Sequence, residues 1–265
     1  MDRHDHSGGV RRGTFDCWPH VARFTRRLGK QREQYRWCMD LTDALRTTGS
    51  IRTFSDQSVS LETVYEILDD ARFAPSGGNR QAWRVIVSTN FEQRRALRDL
   101  YLDGWHDYIA HALAGLIPFS PLATEEDRVR ASAQRAAAEA RSKPDGFAET
   151  IDQVPVLLLV CADLSVLAAV DRDLGRYQIA GGASIYPFVW SILLAANERG
   201  LGGVMTTMAT RNEDAVREVF KIPKTFALAS VVALGYSSTR LSKLRRRSVE
   251  EFTTIDNFDG QPLTH

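Results

Sequence analysis

The sequence predicts an α+β fold built on an antiparallel or mixed sheet flanked by helices. Helical and strand-like segments follow one another without strict alternation, which argues against a doubly wound parallel sheet. Val154 to Ala162 is a continuous apolar run and reads as a central strand. Gly181 to Arg199 is apolar nearly all round, including Phe188, Trp190 and Ile192, and reads as a long helix buried in a core or a subunit interface.

Residues 1–38 are rich in Arg and hold no sustained apolar period, so they read as a basic, disordered N-terminal extension. The folded domain is expected over 39–265, opening with a helix from Asp40 to Thr48. Ser60 is placed to cap a second helix, with Glu62 in its first turn. Leu61, Val64, Ile67, Leu68 and Ala71 share its apolar face, and Pro75 ends it. Arg84 to Thr89 alternates as a half-buried strand, and Phe91 to Leu113 reads as a helix. Thr124-Glu125-Glu126-Asp127 resembles a capping box opening an Ala-rich helix that stops before Pro144. Its alanine face buries little area, so loose docking is expected and residues 103–150 form a candidate lid. Gly200 is a natural C′ residue for the long apolar helix. Val204 to Thr207 is a short strand, Asn212 caps a helix to about Phe220, and Phe226 to Tyr236 is a strong strand. A basic run, Lys243 to Arg247, opens the tail.

A chain of 265 residues buries one sizeable core without disulfides. Its net charge of +1 gives no footing for a nucleic-acid or membrane partner. Cys17, Cys38 and Cys161 are widely spaced with no CxxC, against both a disulfide framework and a zinc site, and they fit a reducing cytoplasm. No metal site is expected. The run from Val154 is too short to cross a bilayer, and no apolar signal segment is visible.

The organising stretch is Ala74-Pro75-Ser76-Gly77-Gly78-Asn79-Arg80-Gln81-Ala82-Trp83. Pro75 stops a helix, and Ser76, Gly77 and Gly78 make a turn whose backbone amides a ligand can approach. Asn79 and Gln81 add side-chain donors and acceptors, and Trp83 an anchor. Such a turn suits a flat, polar-edged heterocycle; an ordinary helix-to-strand turn with a core Trp has the same composition.

This stretch resembles the APSGxNxQxW turn of the FMN-dependent nitroreductase-like family. Further segments agree in order over residues 40 to 255: Ser50-Ile51-Arg52, Gly182 to Arg199, Gly200-Leu201-Gly202 with the strand after it, and the basic run. The resemblance implies a domain-intertwined homodimer with FMN at the interface and NAD(P)H as electron donor. Pro75, Ser76, Gly77 and Asn79 would come from one subunit and the other segments from its partner. Gly78 would face a small aromatic substrate. By the same match Ser50 contacts the ribityl-phosphate side, and Arg52 points at the flavin N1–C2=O edge. A cation is wanted there, because two-electron reduction leaves negative charge on N1. Thr206 and Thr207 lie near N5, and Arg245 and Arg246 grip the phosphate. No side chain need act as catalyst, since flavin N5 carries the chemistry. The family's arginines before the Ser are replaced by Thr48 and Gly49, leaving Arg46 or the basic run to supply that charge.

The implied activity is hydride transfer from NAD(P)H through FMN to an electron-poor acceptor such as a nitroaromatic or quinone. The Thr206-Thr207 pair also resembles the iodotyrosine deiodinase branch, which implies reductive dehalogenation as an alternative. A flavin-storing protein without turnover is a third reading.

Overall fold

The computed structural model describes residues 39–264 except 238 and 240–243. The disorder expected for residues 1–38, Cys17 and Cys38, and Lys243 at the head of the basic run lie outside the described residues.

Four strands form one sheet in the order β1-β2-β4-β3: β1 (Trp83–Ser88), β2 (Val156–Asp163), β3 (Gly202–Thr206) and β4 (Phe226–Gly235). All three pairings are antiparallel, with a register shift between Val160 and Cys161. A parallel bridge from Ser50 to Gly203 extends the β3 edge, so the expected mostly antiparallel, mixed sheet is what forms.

β2 is central, and its unbroken apolar character follows from helices on both faces. Val156, Leu158, Val160 and Ala162 pack in a core that includes α2 (Leu61–Ala71) and α7 (Tyr186–Glu198). Leu157, Leu159 and Cys161 point the other way, into a core with α3 (Phe91–Leu113) and α8 (Glu213–Phe220). A strand covered on both sides gains from apolar residues at every position, whichever way its neighbours run. Burial pushes the Cys161 thiol up to about 11, which keeps it an inert packing residue.

Local chemistry sets most helix ends. Ser60 accepts from Thr63 N at 3.0 Å, and Asn90 Oδ1 accepts from Gln93 N at 3.0 Å. Gly200, at φ +78°, ends α7: its N–H reaches Asn197 O, and Leu201 N reaches Ala196 O at 2.9 Å. The capping box at Thr124 forms, with Asp127 as its reciprocal partner.

Several expectations need correction. Leu61 is 64% exposed, and α2 stops at Ala71, before Pro75. The long apolar helix starts only at Tyr186, after a 3₁₀ segment Ala180–Ser184, because Pro187 sits in its first turn. Asn212 makes no side-chain cap; its amide instead donates to Leu100 O and Asp103 Oδ2. The Ala-rich helix breaks into α4 (Glu125–Ser132) and α5 (Arg135–Glu139). It docks firmly: Ala131 and Ala138 are buried, and Arg135 pairs with Asp103 (2.6 Å), Asp107 (2.6 Å) and Glu139 (2.7 Å). Among the described residues no helix is long and apolar enough to cross a membrane.

Candidate functional site

The predicted site residues fall at the two opposite edges of the sheet. At the β3 edge, α1 (Leu41–Thr47) delivers the chain to Ser50, and Ile51 N donates to Gly203 O at 2.9 Å. Gly202 makes this close approach possible, and Gly203 lets β3 pack against β4 and α7. A Cβ on Gly202 would lie 2.8–2.9 Å from Ile51, and one on Gly203 would lie 2.5 Å from Leu234. Ser55 N then bonds Tyr236 O at 2.7 Å, so residues 50–55 are fixed along the sheet.

This fixing places Arg52 at a cavity of about 650 Å³, shared with Thr206, Thr207, Tyr101, Trp105 and Phe147. Among the described residues no carboxylate pairs with Arg52. Helix α3 forms the opposite wall, because Gly104 lets it approach residue 208: a Cβ there would meet Met208 O at 2.5 Å. Tyr101 Oη lies 3.1 Å from Thr206 Oγ1, and the phenol packs edge-on to Phe147. Burial raises the Tyr101 pKa, while the Thr206 hydrogen bond and the nearby Arg52 charge pull it down. Trp105 and Tyr108 stack at 5.2 Å along the same helix. A second cavity of about 1000 Å³ adjoins it at Thr207 and Met208, lined also by His111, Phe119 and Arg211.

At the β1 edge, the turn Gly77–Asn79 docks on residues 168 and 184: a Cβ on Gly77 would lie 2.9 Å from Ala168 Cβ. Of the amides expected to be open at residues 76–78, only that of Gly77 needs correction, and its neighbours downstream are also engaged. Gly77 N donates to Ser184 Oγ, Asn79 N to Ser76 O, Arg80 N to Gly77 O, and Gln81 N to Ser76 Oγ. The turn needs those bonds because Asn79 (φ 53°) and Gln81 (φ 49°) both sit in the left-handed region beside Gly78 (φ 62°). Asn79 Oδ1 accepts from Gln81 Nε2 at 3.2 Å, and Trp83 stacks on Phe188 at 4.7 Å.

Within one chain, therefore, Arg52, Thr206 and Thr207 meet at the cavity, with Ser50 bonded beside them. Pro75, Ser76, Gly77, Gly78 and Asn79 precede β1, the strand at the opposite edge, with β2 and β4 between β1 and β3. Arg245 and Arg246 are exposed and lie outside both cavities, and Arg246 Nη1 donates to Arg245 O. Thr48, where the resemblance expects arginine, is buried and accepts from Asn197 Nδ2 at 2.8 Å, so it is a packing residue.

Tyr101 is a functional candidate that the sequence reading passed over. The signal available was its position on α3 one turn before Trp105. The cavity volume lies within the roughly 300–1,000 Å³ of small-molecule sites. An unpaired guanidinium, threonine hydroxyls and aromatic planes fit the isoalloxazine that the resemblance implies.

Comparison with known proteins identifies the family and the fold. A family model described as "Nitroreductase family" matches residues 45–236. A nitrobenzene nitroreductase from Ectopseudomonas oleovorans is 26% identical over 225 residues, covering 81% of this chain and 96% of its own. A BluB-like flavoprotein structure from Clostridium difficile 630 superposes with a TM-score of 0.60 at 20% identity, over 83% of this chain and 100% of its own. The structure of oxidized iodotyrosine deiodinase bound to FMN and 3-iodo-L-tyrosine superposes at 0.57 and 21%, with the same coverage.

Proposed function

Because the chain belongs to the nitroreductase family and is an oxidoreductase, we propose that it is a homodimeric FMN enzyme. It passes hydride from NAD(P)H to an electron-poor aromatic acceptor such as a nitroaromatic or quinone. The observation that carries this reading is the convergence of Arg52, Thr206 and Thr207 on one aromatic-walled cavity.

Bound FMN would supply the hydride acceptor and donor, and the protein orients it. Arg52 offers a fixed, uncompensated cation to the N1–C2=O edge. Tyr101 lies 3.1 Å from the Thr206 hydroxyl, and when the phenol donates in this pair the threonine proton is free for a contact at N5. Trp105, Tyr108 and Phe147 give planes on which an aromatic acceptor stacks, and they keep water away from the transferring hydride.

The homodimer reading is supported by the split of the site between opposite sheet edges, since a second copy can bring a β1-edge turn to a β3-edge cavity. Apolar side chains also stand exposed on α1, α2 and α7 and in the turn after α2: Leu41, Leu61, Tyr65, Trp190 and Phe73. All hydrogen bonds made by residues 248–264 close within that tail, which exposes Phe252, Ile255 and Phe258.

The absorbance spectrum of the purified protein tests the cofactor. Turnover of NADPH with a nitroaromatic tests the reaction; a flavin-free or inert protein overturns the reading. The Tyr101–Thr206 hydroxyl pair favours a second reading, reductive dehalogenation of an aromatic substrate. Halide release from a halotyrosine would establish it.

A further inference from the structure

We propose that the acceptor taken at this cavity is an aromatic acid, recognised through its carboxylate by Arg141 and Lys143; this rests on the reading of the cavity as a flavin site. The lining carries three guanidinium or ammonium groups, Arg52, Arg141 and Lys143, against one carboxylate, Glu149. Arg52 is committed to the flavin in that reading. The other two side chains have no ion-pair partner among the described residues. Nearby acids are already engaged: Asp103, Asp107 and Glu139 all bind Arg135. Glu149 folds back on its own turn, where Oε1 accepts from Lys143 N at 2.9 Å, and Asp145 lies outside the lining.

The backbone segment that bears these cations is also tied down. His106 Nε2 lies 2.7 Å from Ser142 Oγ, fastening the 141–143 segment to α3 directly beside Trp105. A stacked aromatic ring with a carboxylate directed at this segment satisfies both features of the wall. Arg141 and Lys143 are exposed at the rim of the lining, so a carboxylate gains their attraction there and a neutral ring does not.

The test compares 4-nitrobenzoate with 4-nitrobenzamide, near isosteres that differ in charge, as acceptors for the flavin-loaded enzyme. The kcat/KM ratio is expected to favour the benzoate by about tenfold or more at low salt, shrinking as ionic strength rises. In the double variant Arg141→Gln, Lys143→Gln the ratio should collapse toward unity, and restoring charge with Arg141→Lys in place of Gln should recover part of it. Difference-absorbance titration of the oxidised holoenzyme with each compound gives the same ratio as binding constants, independent of turnover. Turnover without preference, or a preference that the double variant keeps, overturns the acid specificity alone. Absence of flavin overturns the underlying reading, and this inference with it.

Discussion

The two edges of the sheet handle the same task in opposite ways. At the β3 edge the site is made of side chains around a cavity: an Arg52 with no carboxylate partner among the described residues, and the Thr206 hydroxyl beside Tyr101. At the β1 edge it is made of backbone, and the turn closes on itself through Ser76 and Ser184. That closure holds two non-glycine residues in a conformation costing about 1–2 kcal/mol each, somewhat less for Asn. Open charge without a shaped floor, and a shaped floor without charge, are each half a binding site. In the proposed reading a pair of chains joins the two halves, and the difference between the edges is what that reading explains.

The β3 edge breaks most easily at Gly202. In Gly202→Ala the new methyl meets three atoms of Ile51 at 2.8–2.9 Å, so Ile51 must move and Arg52 with it. Overpacking of this kind costs about 1–3 kcal/mol. Expressed in binding, flavin Kd should rise by about 5- to 150-fold, measured by fluorescence titration.

Removing only the charge sharpens the comparison further. Arg52→Ala should lower the two-electron potential of retained flavin by roughly 15–60 mV, the equivalent of half to all of a hydrogen bond to a charged group. Arg52→Lys should restore part of it, because a point charge remains without the fork. The equivalent change at the β1 edge, Gly77→Ala, should leave the potential of retained flavin nearly unmoved, since that edge brings no cation to N1. Spectroelectrochemistry reads all three.

The smallest effect is expected from acid at the β1 edge. The turn rests on the 164–180 loop, which Asp171 fastens by accepting from Ile179 N (2.8 Å) and Ala180 N (3.0 Å). Those backbone donors, with Arg176, hold the Asp171 carboxyl at about 2. A depressed folded pKa contributes stability that is complete above the ordinary Asp value of about 3.9. It is lost as pH falls through about 2. Amide protection factors of residues 164–180, corrected for intrinsic exchange, should therefore fall between those pH values, and Asp171→Asn should show lower protection already at neutral pH.

The sheet and most helices were legible because each rests on local chemistry. Ser60 and Gly200 mark helix ends where the structure has them, and β2 is apolar from Val156 to Ala162. The start of α7 was misplaced although Pro187 marked it, since the apolar run continues upstream through Gly181 and Gly182. The break between α4 and α5 carries no Gly or Pro and follows from docking on α3 around Arg135. Of the site, Arg52 and the threonines were readable as a pattern. Tyr101, Arg141 and Lys143 were not, because what joins them to the cavity is the tertiary approach of α3 at Gly104.

Subunit complementation tests the shared site most directly. Arg52→Glu sets a carboxylate against the flavin's electron-rich edge, and Gly78→Val forces a β-branched residue to φ +62° in the turn. Each variant alone should form an inactive homodimer. In a purified hybrid with one copy of each, one site combines a native Arg52 from one chain with a native turn from the other. The account predicts a hybrid with one working flavin site and restored turnover of NADPH with a nitroaromatic. A hybrid as inactive as its parents would contradict it, because a site built within a single chain is broken in both copies.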